Sequence, residues 1–222
     1  MNELFNANSP LMRLLTRVAD VMLLNLIFIG TSLPVVTLGA SLTALNDTAM
    51  KIVADDHPSP LEDYLASFKQ NFRQGSVLGL IVLGLAAVVA AWFVVLANLE
   101  ISAMVLFILN AVLYFVTFRF VIAVFYIFPY QATFEDNLRT VLKNARLISL
   151  KHLFSSLVVL AVTALPVVIT IFYPKLVGYG LVWFLFGFAA IACVNAVVFR
   201  QVFSRYIPSE PIAADPVTVT SP

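Results

Sequence analysis

From Val77 to Asn98 the chain reads VLGLIVLGLAAVVAAWFVVLAN, without a single ionisable side chain. A run of roughly 18 or more apolar residues is a transmembrane helix candidate. Lipid offers the backbone no hydrogen-bonding partner, so a spanning segment must satisfy its own amides as a helix. Composition extends the inference to the whole molecule. Only 11% of the 222 residues are charged and 61% are hydrophobic, with mean hydropathy +0.98. A soluble domain carries about 25% charged residues. The expected fold is therefore all-α, a polytopic helical membrane protein of five to six segments.

Those segments fall at about 18–32, 34–50, 76–98, 101–128, 153–172 and 176–199, within one integral membrane domain, 1–207. Ser9-Pro10 supplies a helix cap and first position, and Leu11, Leu14 and Leu15 with Arg13 and Arg17 suit a membrane interface. A signal peptide ending near Leu38-Gly39-Ala40 fits poorly, because Asp20, Asn25 and Pro34 interrupt the apolar region. Pro34 divides the first two segments, and Pro129 is expected to end the fourth. The proline-rich tail 208–222 reads as disordered.

Two polar stretches carry helical periodicity. Leu61, Tyr64, Leu65, Phe68 and Phe72 recur among Lys69, Asn71 and Arg73. Phe134, Leu138, Leu142 and Ala145 recur among Glu135, Asp136, Arg139, Lys143, Arg146 and Lys151. Both predict amphipathic helices on the membrane surface. Basic residues concentrate in these stretches and at Arg200 and Arg205, whereas the two short turns hold only Glu100 and Lys175. The positive-inside rule then puts both surface helices and the C-terminus in the cytoplasm, with the N-terminus there too if Pro34 separates two crossings. Lys69-Gln70-Asn71-Phe72-Arg73 faintly echoes Lys143-Asn144-Ala145-Arg146, the only hint of an internal repeat.

Few residues could carry chemistry. Net charge +1 offers no field for nucleic acid. One cysteine and two distant histidines, His57 and His152, make no metal-ligand set, and no phosphate loop, nucleophile elbow or carboxylate pair occurs. No enzyme activity, cofactor, metal or catalytic residue is expected. Arg119 lies inside an apolar run, where an unpaired charge costs about 2.5–3.5 kcal/mol on the mildest scale, so Asp20 is its expected intramembrane partner. Asn25, Asn110 and Asn195 should make interhelical amide bonds. Pro34, Thr37, Gly39, Ala40 and Ala44 form a small-residue stripe for close helix packing. Phe68, Lys69, Asn71, Phe72 and Arg73 are the candidate surface for docking a partner.

The stretch NLIFIGTSLPVVTLGASLTALNDTAMK at 25–51, with SFKQNFRQG at 67–75, resembles the YesL-like family of bacterial membrane proteins. The Pro34-x-x-Thr37-x-Gly39-Ala40 core and the Phe68-Lys69-x-Asn71-Phe72 element carry the likeness, which covers about residues 2–80. The resemblance implies a domain of unknown function associated with carbohydrate-utilisation genes, in the bacterial cytoplasmic membrane. It thereby implies an accessory role in ABC-type sugar uptake or its regulation, with permease or binding subunits as partners besides the bilayer. A self-contained small-solute transporter is the alternative, and homo-oligomerisation stays open.

Overall fold

The computed structural model describes residues 10–55, 59–175 and 180–207. The N-cap Ser9, His57 and the tail 208–222 lie outside them. Among the described residues seven α-helices follow one another: α1 Pro10–Ser32, α2 Leu38–Ala54, α3 Pro60–Ala97, α4 Ala103–Thr133, α5 Leu138–Lys151, α6 Leu153–Phe172 and α7 Phe188–Phe203. A 3-10 turn, Val35–Thr37, precedes α2, and a π turn, Trp183–Gly187, runs into α7. No strand occurs among the described residues. Among the described residues five stretches are long and apolar enough to cross a membrane: Leu11–Ser32, α3, α4, α6 and Trp183–Phe203.

Neither α2 nor α5 is among these, and the bundle is built around α2. It packs against α1, α3, α4 and α7. Its inward residues Ala40, Ser41, Thr43, Ala44, Thr48 and Ala49 are all fully buried. Small side chains let neighbouring backbones approach, which lipid-facing leucines cannot do. Pro34, in extended conformation (φ −75°, ψ 121°), separates α1 from the 3-10 turn. The Thr37 hydroxyl lies 2.6 Å from the Thr31 carbonyl, an acceptor that the end of α1 leaves open, and 2.8 Å from the Pro34 carbonyl, which Thr37 N–H already bonds. The helix proper thus starts at Leu38 rather than at Pro34.

Residues 60–75 do not form a separate surface helix. They are the first half of α3, one helix of 38 residues, or about 57 Å at about 1.5 Å per residue. Nothing between Arg73 and Val77 breaks it. Gly75 weakens helix propensity, yet its bare Cα is where α2 presses in: a Cβ there would meet the Ala40 Cα at 2.8 Å. Tyr64 and Ser67 are buried under the rest of the bundle, so tertiary packing holds this polar half in line with the apolar span. Likewise α4 continues through Pro129 to Thr133. Pro129 is buried, and the Thr133 hydroxyl bonds its carbonyl at 2.9 Å. By contrast α5 is a discrete amphipathic helix that buries Val141, Ala145, Ile148 and Ser149. His152 alone separates it from α6.

Contacts define one end of the bundle. Arg17 pairs with Asp55, Lys51 with Asp63, and His152 with Tyr206. Met50, Val53, Thr133, Arg200 and Gln201 line one pocket. The start of α1, the α2–α3 junction, the end of α4, α5 and the end of α7 therefore gather together. Most of the basic residues lie here.

Candidate functional site: a polar cleft above an apolar cavity

The common end of α2, α3 and α4 holds a cleft of about 280 Å³. Its walls are Asp47 from α2, Ser67, Gln70, Asn71 and Gln74 from α3, Gln131 from α4, and Glu135 and Asp136 from the α4–α5 link. The α3 residues fall at helical spacing, so one face of the helix supplies them all. Several are pinned. Gln70 Nε2 donates to Glu135 Oε1 at 3.2 Å, and Gln74 Nε2 donates to the Asp136 carbonyl at 2.7 Å. Tyr130 donates its hydroxyl to Asp136 Oδ2 at 2.6 Å and accepts from Asn144 Nδ2 at 2.7 Å. No Lys or Arg lines the cleft.

Gln131 is the under-used group. It is 5% exposed, so its amide sits at the bottom of the cleft wall. Its Nε2 reaches Asn71 Oδ1 only at 3.5 Å. Its Oε1 lies 3.3 Å from Thr43 Oγ1, but that hydroxyl has a shorter partner in the Gly39 carbonyl at 2.9 Å. A hydroxyl has one hydrogen to give. Gln131 therefore has donor and acceptor capacity left over, in a place where unmade bonds are costly.

Behind Asp47, Lys51 bridges Asp47 and Asp63, each at 3.2 Å. Both carboxylates are largely shielded, with side-chain exposures of 18% and 13%.

A second void of about 260 Å³ lies on the other side of the α2–α4 seam, lined by Leu42, Leu45 and Asn46 of α2 and Phe125, Phe128 and Pro129 of α4, with Trp183, Phe188 and Asn195 opposite. Its wall is almost wholly apolar. Asn195 donates to Thr163 Oγ1 at 3.0 Å, and Thr163 gives its hydrogen to the Val159 carbonyl at 2.9 Å. The Asn195 Oδ1 is left without a partner. Beside this cavity the π turn is held by Asn25. Its Nδ2 donates to the carbonyls of Trp183 and Phe184 at 3.0 and 2.7 Å, and its Oδ1 accepts from Ala189 N–H at 3.0 Å. A π turn misaligns successive backbone groups, and the buried amide meets two of its carbonyls and one N–H at the start of α7.

The structure distributes the sequence candidates unevenly. Asp20 and Arg119 are not brought together. No ion pair or hydrogen bond joins them, and α1 packs chiefly on α2, α3 and α7, whereas α4 packs on α2, α3, α5, α6 and α7. Arg119 is half-buried, and its Nη1 has no partner. Gly39, Ala40 and Ala44 face α3 and the interior, with Pro34 and Thr37 at the turn above them. Of the docking candidates, Lys69, Phe72 and Arg73 are exposed; Phe68 is half-buried and stacked on Tyr64. Asn71 belongs to the cleft instead. Asn25 and Asn195 bond across helices, while Asn110 bonds only the Leu106 carbonyl of its own helix. Gln70, Gln74 and Gln131 were missed. Ser67, Asn71 and Gln74, at helical spacing in an otherwise charged segment, were the available signal.

No curated protein and no solved structure matches the chain. Residues 21–95, from within α1 through α2 and nearly all of α3, match the model of a family described as a protein of unknown function, DUF624.

Proposed function

We propose that the protein is a non-enzymatic membrane component of carbohydrate uptake, set in the bacterial cytoplasmic membrane with the basic end of the bundle inside. The make-up of the cleft carries this reading. Amide N–H groups, amide carbonyls and carboxylates alternate around it, and no lining cation competes for them. A polyhydroxylated solute needs such interleaved donors and acceptors, and Gln131 has bonds to spare. The resemblance to the YesL-like family points to the same solute class. The sequence has no phosphate-binding glycine loop, so in an ATP-driven assembly a partner would hydrolyse the nucleotide. Phe72, 45% exposed between Lys69 and Arg73, offers that partner an apolar anchor with charges beside it.

Purification of the full chain from its native host in mild detergent, followed by mass spectrometry, tests the partner. Stoichiometric permease or solute-binding subunits are expected, and Phe72→Ser should release them without changing the melting temperature. A partner-free protein would remove the accessory role. Calorimetric titration with a panel of saccharides tests the cleft. Gln131→Leu should weaken binding about tenfold, the scale of one lost hydrogen bond, and leave the melting temperature unchanged or raised. Absence of saccharide binding to the wild type would sink the assignment of the cleft.

One arrangement favours a self-contained small-solute transporter as the second reading. Only the α2–α4 seam separates the polar cleft from the apolar cavity, and Pro129 lies on it. Saccharide flux into liposomes holding the pure protein would decide for that alternative.

A further inference from the structure

The surface helix α5 carries a feature that carbohydrate handling does not use. Arg139, Lys143 and Arg146 are all exposed. Their spacing of four and three residues puts them on one stripe of the helix. Among the described residues none of the three has an ion pair or a side-chain hydrogen bond. Glu135 and Asp136, the nearest acids in sequence, are occupied by Gln70 and Tyr130. The next position on the stripe is Leu150, 48% exposed, with Leu147 beside it, also 48% exposed. Phe154, 82% exposed, follows in the first turn of α6.

The order along the axis matters. The three unpaired cations occupy the first two-thirds of α5, and exposed Leu147 and Leu150 follow near its end, where the one further cation, Lys151, lies over the Tyr206 ring at 5.3 Å. The leucines lead directly into a helix long and apolar enough to cross the bilayer. Because only His152 intervenes, α5 is tethered at the level where α6 enters the hydrocarbon. A helix so placed presents its cations to headgroups while its leucines meet the upper acyl chains. We infer that α5 is a binding surface for anionic phospholipid, with Arg139, Lys143 and Arg146 holding headgroup phosphates and Leu147, Leu150 and Phe154 beside the acyl chains. Charge complementarity selects the occupant: three unpaired cations at the membrane surface attract acidic lipid, at about 1 kcal/mol for each.

Native mass spectrometry of the full-length protein, offered equal amounts of phosphatidylglycerol and phosphatidylcholine, tests this. The wild type should retain phosphatidylglycerol preferentially. The triple variant R139Q/K143Q/R146Q should lose that preference, with affinity lower on the order of a hundredfold. The variant K69Q/R73Q, which removes exposed cations elsewhere, should keep it. Added salt should mimic the triple variant on wild-type protein, which keeps the test valid should the variant misfold. Equal retention of both lipids by the wild type, or equal loss in both variants, would overturn the assignment. No lipid preference together with saturable binding of an acidic peptide would reassign α5 to a protein partner.

Discussion

Gly39 of α2 and Gly79 of α3 touch backbone to backbone: a Cβ built on Gly39 would lie 2.8 Å from the Gly79 Cα. Both neighbours at this crossing are main chain, so neither can turn aside as a side chain would. Gly39→Leu should therefore destabilise the bundle by about 3 kcal/mol or more, beyond the usual cost of overpacking. Gly84→Ala is the control, because a Cβ there meets nothing within 4 Å. It should be neutral or stabilising by up to about 1 kcal/mol from helix propensity. Thermal unfolding in one detergent compares the two, and equal melting temperatures would contradict the close approach.

Asn25 holds two carbonyls of the π turn and one N–H of the first turn of α7. Asn25→Leu preserves size but leaves those groups unpaired, at a cost of about 1–3 kcal/mol. Local loosening should appear first. Hydrogen exchange at residues 183–189 should accelerate more than in α3, and uniform protection would count against the amide as the brace.

The ion pairs at the basic end differ in worth. Arg17 and Asp55 are 58% and 70% exposed, so Arg17→Gln should change stability by less than about 0.5 kcal/mol. Lys51 stands between two shielded carboxylates. Lys51→Met leaves both without their counter-charge and should cost about 1–3 kcal/mol. Thermal unfolding of the two variants in one detergent separates these outcomes.

His152 gives a pH dependence of defined sign. Burial first, then the nearby charges of Arg205 and Lys151, hold its pKa below the ordinary 6.5. The folded protein thus binds this proton less readily than the unfolded chain. The contribution is fully present above pH 6.5 and is lost as pH falls through the lowered folded value. The His152–Tyr206 contact of 3.0 Å ties α6 to the residues just after α7. Melting temperature should drop on acidification through this window, and His152→Gln should flatten that part of the profile.

The all-helical class and the five spanning runs could be read from apolar patterning, because lipid leaves a spanning backbone no other choice. The break at Pro34 was equally readable, since proline fixes φ and lacks a donor. Three features were not. The unity of α3 depends on α2 pressing against Gly75, a contact between segments that no local pattern encodes. Pro129 looked like a terminator, yet the packing that buries it carries the helix through. The expected Asp20–Arg119 pair assumed that two polar residues in lipid must meet, although which helices adjoin is decided by small residues elsewhere. The cleft fared likewise. Asn71 was visible as unusual, but its companions Gln131, Glu135 and Asp136 are sixty or so positions away and join it only through the α3–α4 pairing.

The continuity of α3 has a mechanical meaning. It is held against α2 along its first half, from the Lys51–Asp63 ion pair through Gly75 to Gly79, and about 27 Å of it, toward Ala97, extends beyond that seam. The clamped half carries Gln70, Asn71 and Gln74 of the cleft, and the length beyond reaches the far turn. A rigid rod clamped in this way cannot shift around a solute at one end without carrying the far turn with it.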